Sequence, residues 1–169
     1  MNFSTRPVEA SDDVLLFDLY SSTREFEMAQ VPWTMGQKVS FLRMQFAAQA
    51  SSYAASHPGA SHEMICVDGK AVGRIYWDRS PETLDILDIT IARECRNRGL
   101  GSCLLERLIS EADGAGIPLR IYIEHFNPSA SLFRRLGFRP VATEGFRQLY
   151  VRKAGYGKAG GTEAFRRCG

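Results

Sequence analysis

LDILDITIARECRNRGLGS, residues 84–102, reads as an apolar strand, a short basic turn holding two glycines, and the first turn of a helix. Within it, Arg96-Asn97-Arg98-Gly99-Leu100-Gly101 spells R-x-x-G-x-G. Glycines at a strand-to-helix junction let a ligand come close to the backbone. The unpaired N–H groups and positive end of the helix that follows favour an anion such as a phosphate. The strand itself is irregular. Leu84 and Ile86 share a face that continues as Asp88 and Thr90, while Asp85 shares the other with Leu87, Ile89 and Ile91. A bulge near residues 87–88, or a strand whose far end leaves the sheet, reconciles the two patterns. Either leaves main-chain groups at Ile89, Thr90 and Ile91 open to a ligand.

Downstream, Leu100, Leu104, Leu108 and Ala112 recur at four-residue spacing, which predicts a helix stopped by Gly114-Ala115-Gly116. Residues 119–124 alternate cleanly, with Leu119, Ile121 and Ile123 on one face and Arg120, Tyr122 and Glu124 on the other. A strand, helix and strand of this length predict a parallel pair, with the turn at its carboxyl end. Asn127-Pro128-Ser129 opens a short helix bearing Leu132, Phe133 and Leu136. Two last strands, 138–142 and 146–151, flank Thr143-Glu144-Gly145.

Upstream, residues 2–7 form a first strand ended by Pro7. Ser11-Asp12-Asp13 supplies a helix N-cap and an acidic first turn, and that helix is expected to reach Glu27. Thr34 with Gln37 makes a capping-box pattern before a long, loosely amphipathic helix over 35–56. Asp68-Gly69 marks a β-hairpin, so residues 64–91 read as three sequential antiparallel strands. Residues 153–169, glycine-rich and basic, are expected to form a flexible tail after a domain spanning 1–152.

Composition narrows the function classes. With 169 residues, 44% hydrophobic and 24% charged, the chain suits one soluble domain with its own core. A net charge of +2 with scattered basic residues argues against a nucleic-acid partner. No apolar run reaches the roughly 18 residues that a bilayer needs, and residues 1–13 lack a signal peptide's pattern. Cys66, Cys95, Cys103 and Cys168 show no C-x-x-C spacing, which argues against a metal site. Without a secretory signal, the four cysteines are expected to be unpaired thiols in a cytoplasmic protein. Cys103, in a helix's first turn beside arginines, is the one whose pKa is expected to fall.

The order is strand, two helices, three antiparallel strands, helix, strand, helix, two strands. With R-x-x-G-x-G opening the third helix, this resembles the GNAT superfamily of N-acetyltransferases. A second motif agrees: Asn127, then Leu132-Phe133-Arg134-Arg135-Leu136-Gly137-Phe138, matching a small helix that ends L-[YF]-x-x-x-G-F. The resemblance implies an α/β (α+β) acyltransferase fold. Its central mixed, mostly antiparallel sheet would have six to seven strands, with about four helices. It implies acetyl-coenzyme A as cosubstrate and a small-molecule or peptide amine as acceptor. By position, Arg96, Asn97, Arg98, Gly99, Leu100, Gly101 and Ser102 would hold the pyrophosphate. Ile89, Thr90 and Ile91 would hold the pantetheine arm, with Asn127 and Phe133 nearby. Many relatives carry tyrosine where Phe133 stands, and phenylalanine has no proton for a departing thiolate; Tyr122 and Ser102 are the conceivable substitutes. Glu124 and Asp85 are the candidate general bases, since a protonated amine must lose a proton before it attacks. Glu25 and Glu27 point weakly to a cationic acceptor. Edge strands near the C-terminus allow a homodimer. The rival reading is a coenzyme-A-binding module without catalysis.

Overall fold

The structure, a computed structural model, describes residues 3–125 and 127–156. Its strands are β1 (Phe3–Pro7), β2 (Ser61–Val67), β3 (Lys70–Arg79), β4 (Leu84–Ile91), β5 (Leu119–Glu124), β6 (Arg139–Glu144) and β7 (Arg147–Arg152). They make one mixed sheet in the order β1-β2-β3-β4-β5-β7-β6. The helices are α1 (Asp13–Thr23), α2 (Glu25–Ala29), α3 (Met35–Ser56), α4 (Leu100–Ala115) and α5 (Ala130–Arg135). The expected helix to Glu27 is thus two. Ser22 and Thr23 turn their hydroxyls back onto the carbonyls of Leu19 and Tyr20, each at 2.7 Å, and the ladder stops at Arg24.

Two compact units can be described, and β3 and β4 contribute to both. One comprises residues 3–76 and 88–96. Here Leu16, Leu19, Met64 and Cys66 pack together, as do Phe17, Tyr20 and Leu42. The capping box at Thr34 forms as its sequence predicts, with Gln37 N–H on Thr34 Oγ1 at 3.3 Å and Thr34 N–H on Gln37 Oε1 at 2.9 Å. The N-terminal cap of α1 is different. Residues 10–12 are a 3₁₀ turn, and the Asp12 carboxylate looks backward, accepting the Glu9 N–H at 2.9 Å and two bonds from Arg6, both at 2.7 Å.

Those bonds, the Arg6 pair foremost, hold the buried Asp12 carboxyl at about 2, against an ordinary 3.8, although burial works the other way. The folded value lies below the unfolded one. The contribution is therefore complete above about pH 4 and is lost as pH falls towards about 2. The advantage of wild type over Asp12→Asn in urea unfolding should shrink between about pH 6 and about pH 2.5. A pH-independent difference would contradict this assignment.

The other unit comprises, among the described residues, 77–87, 97–125 and 127–156. Leu104, Leu105, Leu108, Leu119 and Phe138 are fully buried there, and the spacing of the three leucines of α4 is what points that helix at its core. Gly114 stays inside α4. Gly116, at φ 69°, ends it, a conformation that side chains rarely tolerate. The parallel ladder between β4 and β5 pairs Leu84 with Leu119, Asp85 with Arg120 and Ile86 with Ile121. Edge strand β6 is exposed throughout, interrupted by Pro140 and an irregularity before Ala142, features that discourage added strands. Residues 153–156 are not a loose start to the tail: Arg152 and Arg139 bond to Tyr156, and its ring lies against Gly137. The remainder of the expected tail, with Cys168, lies outside the described residues.

Candidate functional site

Strand β4 carries one residue too many. At the hairpin end Ser80 N–H bonds to Thr83 O at 2.9 Å, and at the far end Ala92 N–H bonds to Val72 O at 2.8 Å. Between those two pairs, residues 73–79 of β3 therefore answer residues 84–91 of β4, which are one more in number. Side chains locate the surplus. The hairpin pairs an even with an odd residue, yet Asp88 Oδ2 meets Arg74 Nε at 2.5 Å, so by then even faces even. The change of phase falls between Thr83 and Asp88, a stretch that includes the place where the sequence pattern asks for a bulge. It also explains the polar end of the strand. Asp88 and Thr90 are packed with the buried Arg74, which reaches Gln49 Oε1 at 2.7 Å, and the Thr90 hydroxyl lies 3.3 Å from Asp88.

Beyond the bulge, residues 90 and 92 turn their main-chain groups towards β3, whereas 89 and 91 turn theirs away. Thr90 is 6% exposed. Ile91 has half of its pair left, because its carbonyl accepts Arg96 Nε at 2.7 Å. The Arg96 guanidinium also reaches Ser22 Oγ at 3.2 Å and its backbone N–H donates to Arg93 O at 3.2 Å, so Arg96 serves the protein and the N–H groups that the turn can offer come after it.

After Arg96 the chain makes two left-handed steps, Asn97 at φ 59° and Gly99 at φ 82°. Asparagine tolerates that region and glycine prefers it. Asn97, Arg98 and Gly99 are exposed, and buried Leu100 anchors the helix behind them. The first helical bond is Cys103 N–H to Gly99 O at 3.0 Å. The N–H groups of Leu100, Gly101 and Ser102 therefore precede the ladder, with no acidic residue in the first turn. Such an end attracts anions by about 0.3–1 kcal/mol per charge even when exposed. Cys103 is disulfide-bonded, which removes the expected reactive thiol; Cys66 and Cys95 are free.

The two candidate bases are far apart. Asp85 lies at the hairpin end, its oxygens held by Arg120 at 2.6 and 2.9 Å, with the Thr83 hydroxyl donating at 3.0 Å. Glu124 is the last residue of β5, four positions past the Arg120 that pairs with Asp85, or about 13 Å along the strand. It stands half-buried opposite Arg147 of β7. Tyr122, a conceivable acid, donates to Glu144 Oε1 at 2.8 Å, which raises its pKa and makes it a weaker acid. Asn127 Oδ1 accepts the Ser129 N–H at 2.9 Å and so shapes the turn into α5. Phe133, 2% exposed, packs edge-on against Phe138 at 5.3 Å, as a core residue. Glu27 is paired with Arg24 and Glu25 with Arg93. Missing from the sequence reading were Ser22 and Gly73. A glycine inside a strand was the available signal for the second.

Solved structures share this fold. PaiA N-acetyltransferase of Thermoplasma acidophilum, in complex with coenzyme A, is similar with a TM-score of 0.68 at 17% identity, over 90% of this chain and 99% of that one. An acetyltransferase of Thermus thermophilus gives 0.64 at 22%, over 90% and 97%. A GNAT acetyltransferase of Elizabethkingia anophelis, with acetyl-coenzyme A bound, gives 0.57 at 17%, over 90% and 98%. At such identities the likeness defines the fold class, that of the acetyltransferases. The family model for the acetyltransferase (GNAT) family matches residues 19–138, and the chain belongs to that family. No curated protein matches it. No described helix is long and apolar enough to cross a membrane.

Proposed function

We propose that the chain transfers the acetyl group of acetyl-coenzyme A to a primary amine of a small molecule or peptide. The observation that carries this reading is the turn at 96–102. In a member of this family, two left-handed residues expose a short run of N–H groups at an open helix start. The backbone of Asn97 through Ser102 takes the pyrophosphate of the donor, and Arg96, whose N–H is bonded to Arg93 O, stands at the head of the turn without a contact of its own. Main-chain groups of Ile89 and Ile91, turned away from β3, take the pantetheine arm. Asn127 contributes through the turn it shapes, and Phe133 by packing behind it.

At neutral pH an alkyl amine carries a proton that must leave before nitrogen can attack the acetyl carbon. Glu124 takes it, directly or through a water. It ends β5 at the same end of the parallel pair as the turn, whereas Asp85 sits a strand's length away in an ion pair. The amine lone pair forms the new C–N bond, the C–S bond breaks, sulfur leaves with the electron pair, and the second nitrogen proton passes to the thiolate or to water, leaving a neutral amide. With a thiol pKa near 8.5, thiolate leaves tolerably without an acid, so no tyrosine is needed where Phe133 stands.

Glu124→Gln should lower kcat/KM by about 10²-fold or more and abolish the rise of rate with pH. Asp85→Asn should leave that rise in place. An unchanged pH profile in Glu124→Gln would remove the assignment. Release of thiol across amino acids, polyamines, aminoglycosides and peptide N-termini identifies the acceptor. Binding of acetyl-coenzyme A with no release across that panel would favour a binding module.

A further inference from the structure

Arg96 heads the phosphate turn, yet its side chain is used inside the protein. One nitrogen holds the last carbonyl of β4, and another reaches Ser22 in the final turn of α1. Ser22 commits its own proton to Leu19 O at 2.7 Å. Its oxygen is therefore presented as an acceptor, and the Arg96 bond has a defined direction. Three residues earlier Arg93 pairs with Glu25, the first residue of α2. Residues 93–96 are thus pinned twice to the corner between α1 and α2. The Arg93 pair is exposed and screened, worth about 0–1 kcal/mol. The Arg96 bridge is half-buried and charge-assisted, and is the stronger of the two.

We propose that Arg96 is a positioning residue, coupling the α1–α2 corner to the end of β4, and that its guanidinium is not a phosphate ligand. This rests on the reading above, in which the end of β4 takes the donor's arm, and it takes residues 25–33, which follow that corner, as part of the acceptor's wall. The planar fork of arginine bonds two acceptors at once in fixed directions, which a lysine ammonium on the same stem does not reproduce. Loss of the bridge then affects the acceptor and turnover, while the donor's phosphates keep their backbone contacts.

The test compares Arg96→Lys, Arg96→Gln, Ser22→Ala and Ser22→Thr. Calorimetry gives the coenzyme A affinity, and steady-state rates use acetyl-coenzyme A with the best amine of the panel above. Hydrogen exchange of residues 19–29 is followed in the unliganded protein. Arg96→Lys and Ser22→Ala should each speed that exchange and lower kcat/KM for the amine about tenfold, with the coenzyme A Kd moving less than about threefold. Ser22→Thr, which keeps a hydroxyl, should behave as wild type. The double variant Arg96→Lys/Ser22→Ala should be no worse than Arg96→Lys alone. A wild-type Arg96→Lys beside an Arg96→Gln that loses coenzyme A affinity about tenfold would mean a point charge on phosphate and overturn the proposal. If wild type binds no coenzyme A, the proposed donor site itself has failed. The exchange arm then decides the bridge alone, and unchanged protection in Arg96→Lys overturns it.

Discussion

Replacing Arg152 with alanine lowers stability by about 3–5 kcal/mol, the range for breaking a buried ion pair from one side. In a chain of this size that is a fall in Tm of about 6–20 °C. Arg152 is 5% exposed at the end of β7, and all three of its nitrogens are engaged. Two meet Asp113 at 2.7 and 3.2 Å, one of these also reaches Tyr156 O at 2.5 Å, and Nε donates to Leu136 O at 3.1 Å. One side chain thereby ties the end of α4, the end of α5 and the last described turn. Its removal takes the guanidinium from the Asp113 carboxylate, which is 11% exposed and also accepts the Gly155 N–H at 2.7 Å. Thermal unfolding by circular dichroism measures the effect. Arg152→Met combined with Asp113→Leu should recover much of the loss, because the charge left behind is the larger part of the penalty. An Arg152→Ala protein melting within about 2 °C of wild type would end this account.

Gly73→Ala should be nearly as damaging, for a reason of space. A Cβ there would stand 2.5 Å from Thr90 O and 3.2 Å from both Ile91 Cα and Ile65 Cδ1. The closest atom is backbone, so β4 must move at the residues proposed to hold the pantetheine arm. Overpacking of this kind costs about 1–3 kcal/mol. The more telling effect is on the donor, whose Kd should rise about tenfold or more as residues 89–91 shift, equal to about 1.4 kcal/mol. Gly36→Ala in α3 is the internal control. Nothing lies within 4 Å of that Cβ, and alanine is the better helix former by about 1 kcal/mol. If Gly73→Ala binds coenzyme A as tightly as Gly36→Ala does, the close approach of β3 and β4 has no bearing on the site.

The parts of this fold legible in the chain were those with short-range chemistry. The I′ hairpin at Asp68-Gly69 has φ 49° and 80°, and the Thr34 capping box forms. The four-residue leucine period of α4 and the alternation of β5 need nothing beyond neighbouring residues. The phase change in β4 was legible too, because its apolar residues exchange faces midway. What escaped depends on partners distant in sequence. Asp85 looks like a free carboxylate until Arg120 arrives from 35 residues away, and Glu25 until Arg93 does. Arg96 looks like a cation offered to phosphate until Ser22, 74 residues earlier, takes one nitrogen. Arginine reaches far and satisfies several carbonyls at once, so its role is the hardest to read from local pattern.

The surplus residue of β4 can also be weighed by deleting it in thought. Remove one residue between Thr83 and Asp88, and β3 and β4 match in number from end to end. The hairpin would be more regular, and it would be a different protein. Asp88 and Thr90 would change faces and abandon the buried Arg74. The carbonyl of Ile91 would turn into the sheet, and Arg96 would have nothing there to hold. Point substitutions along this strand perturb one position each, whereas a change of length by one rewrites every position after it. Inheritance can therefore vary the letters of this segment far more freely than their number.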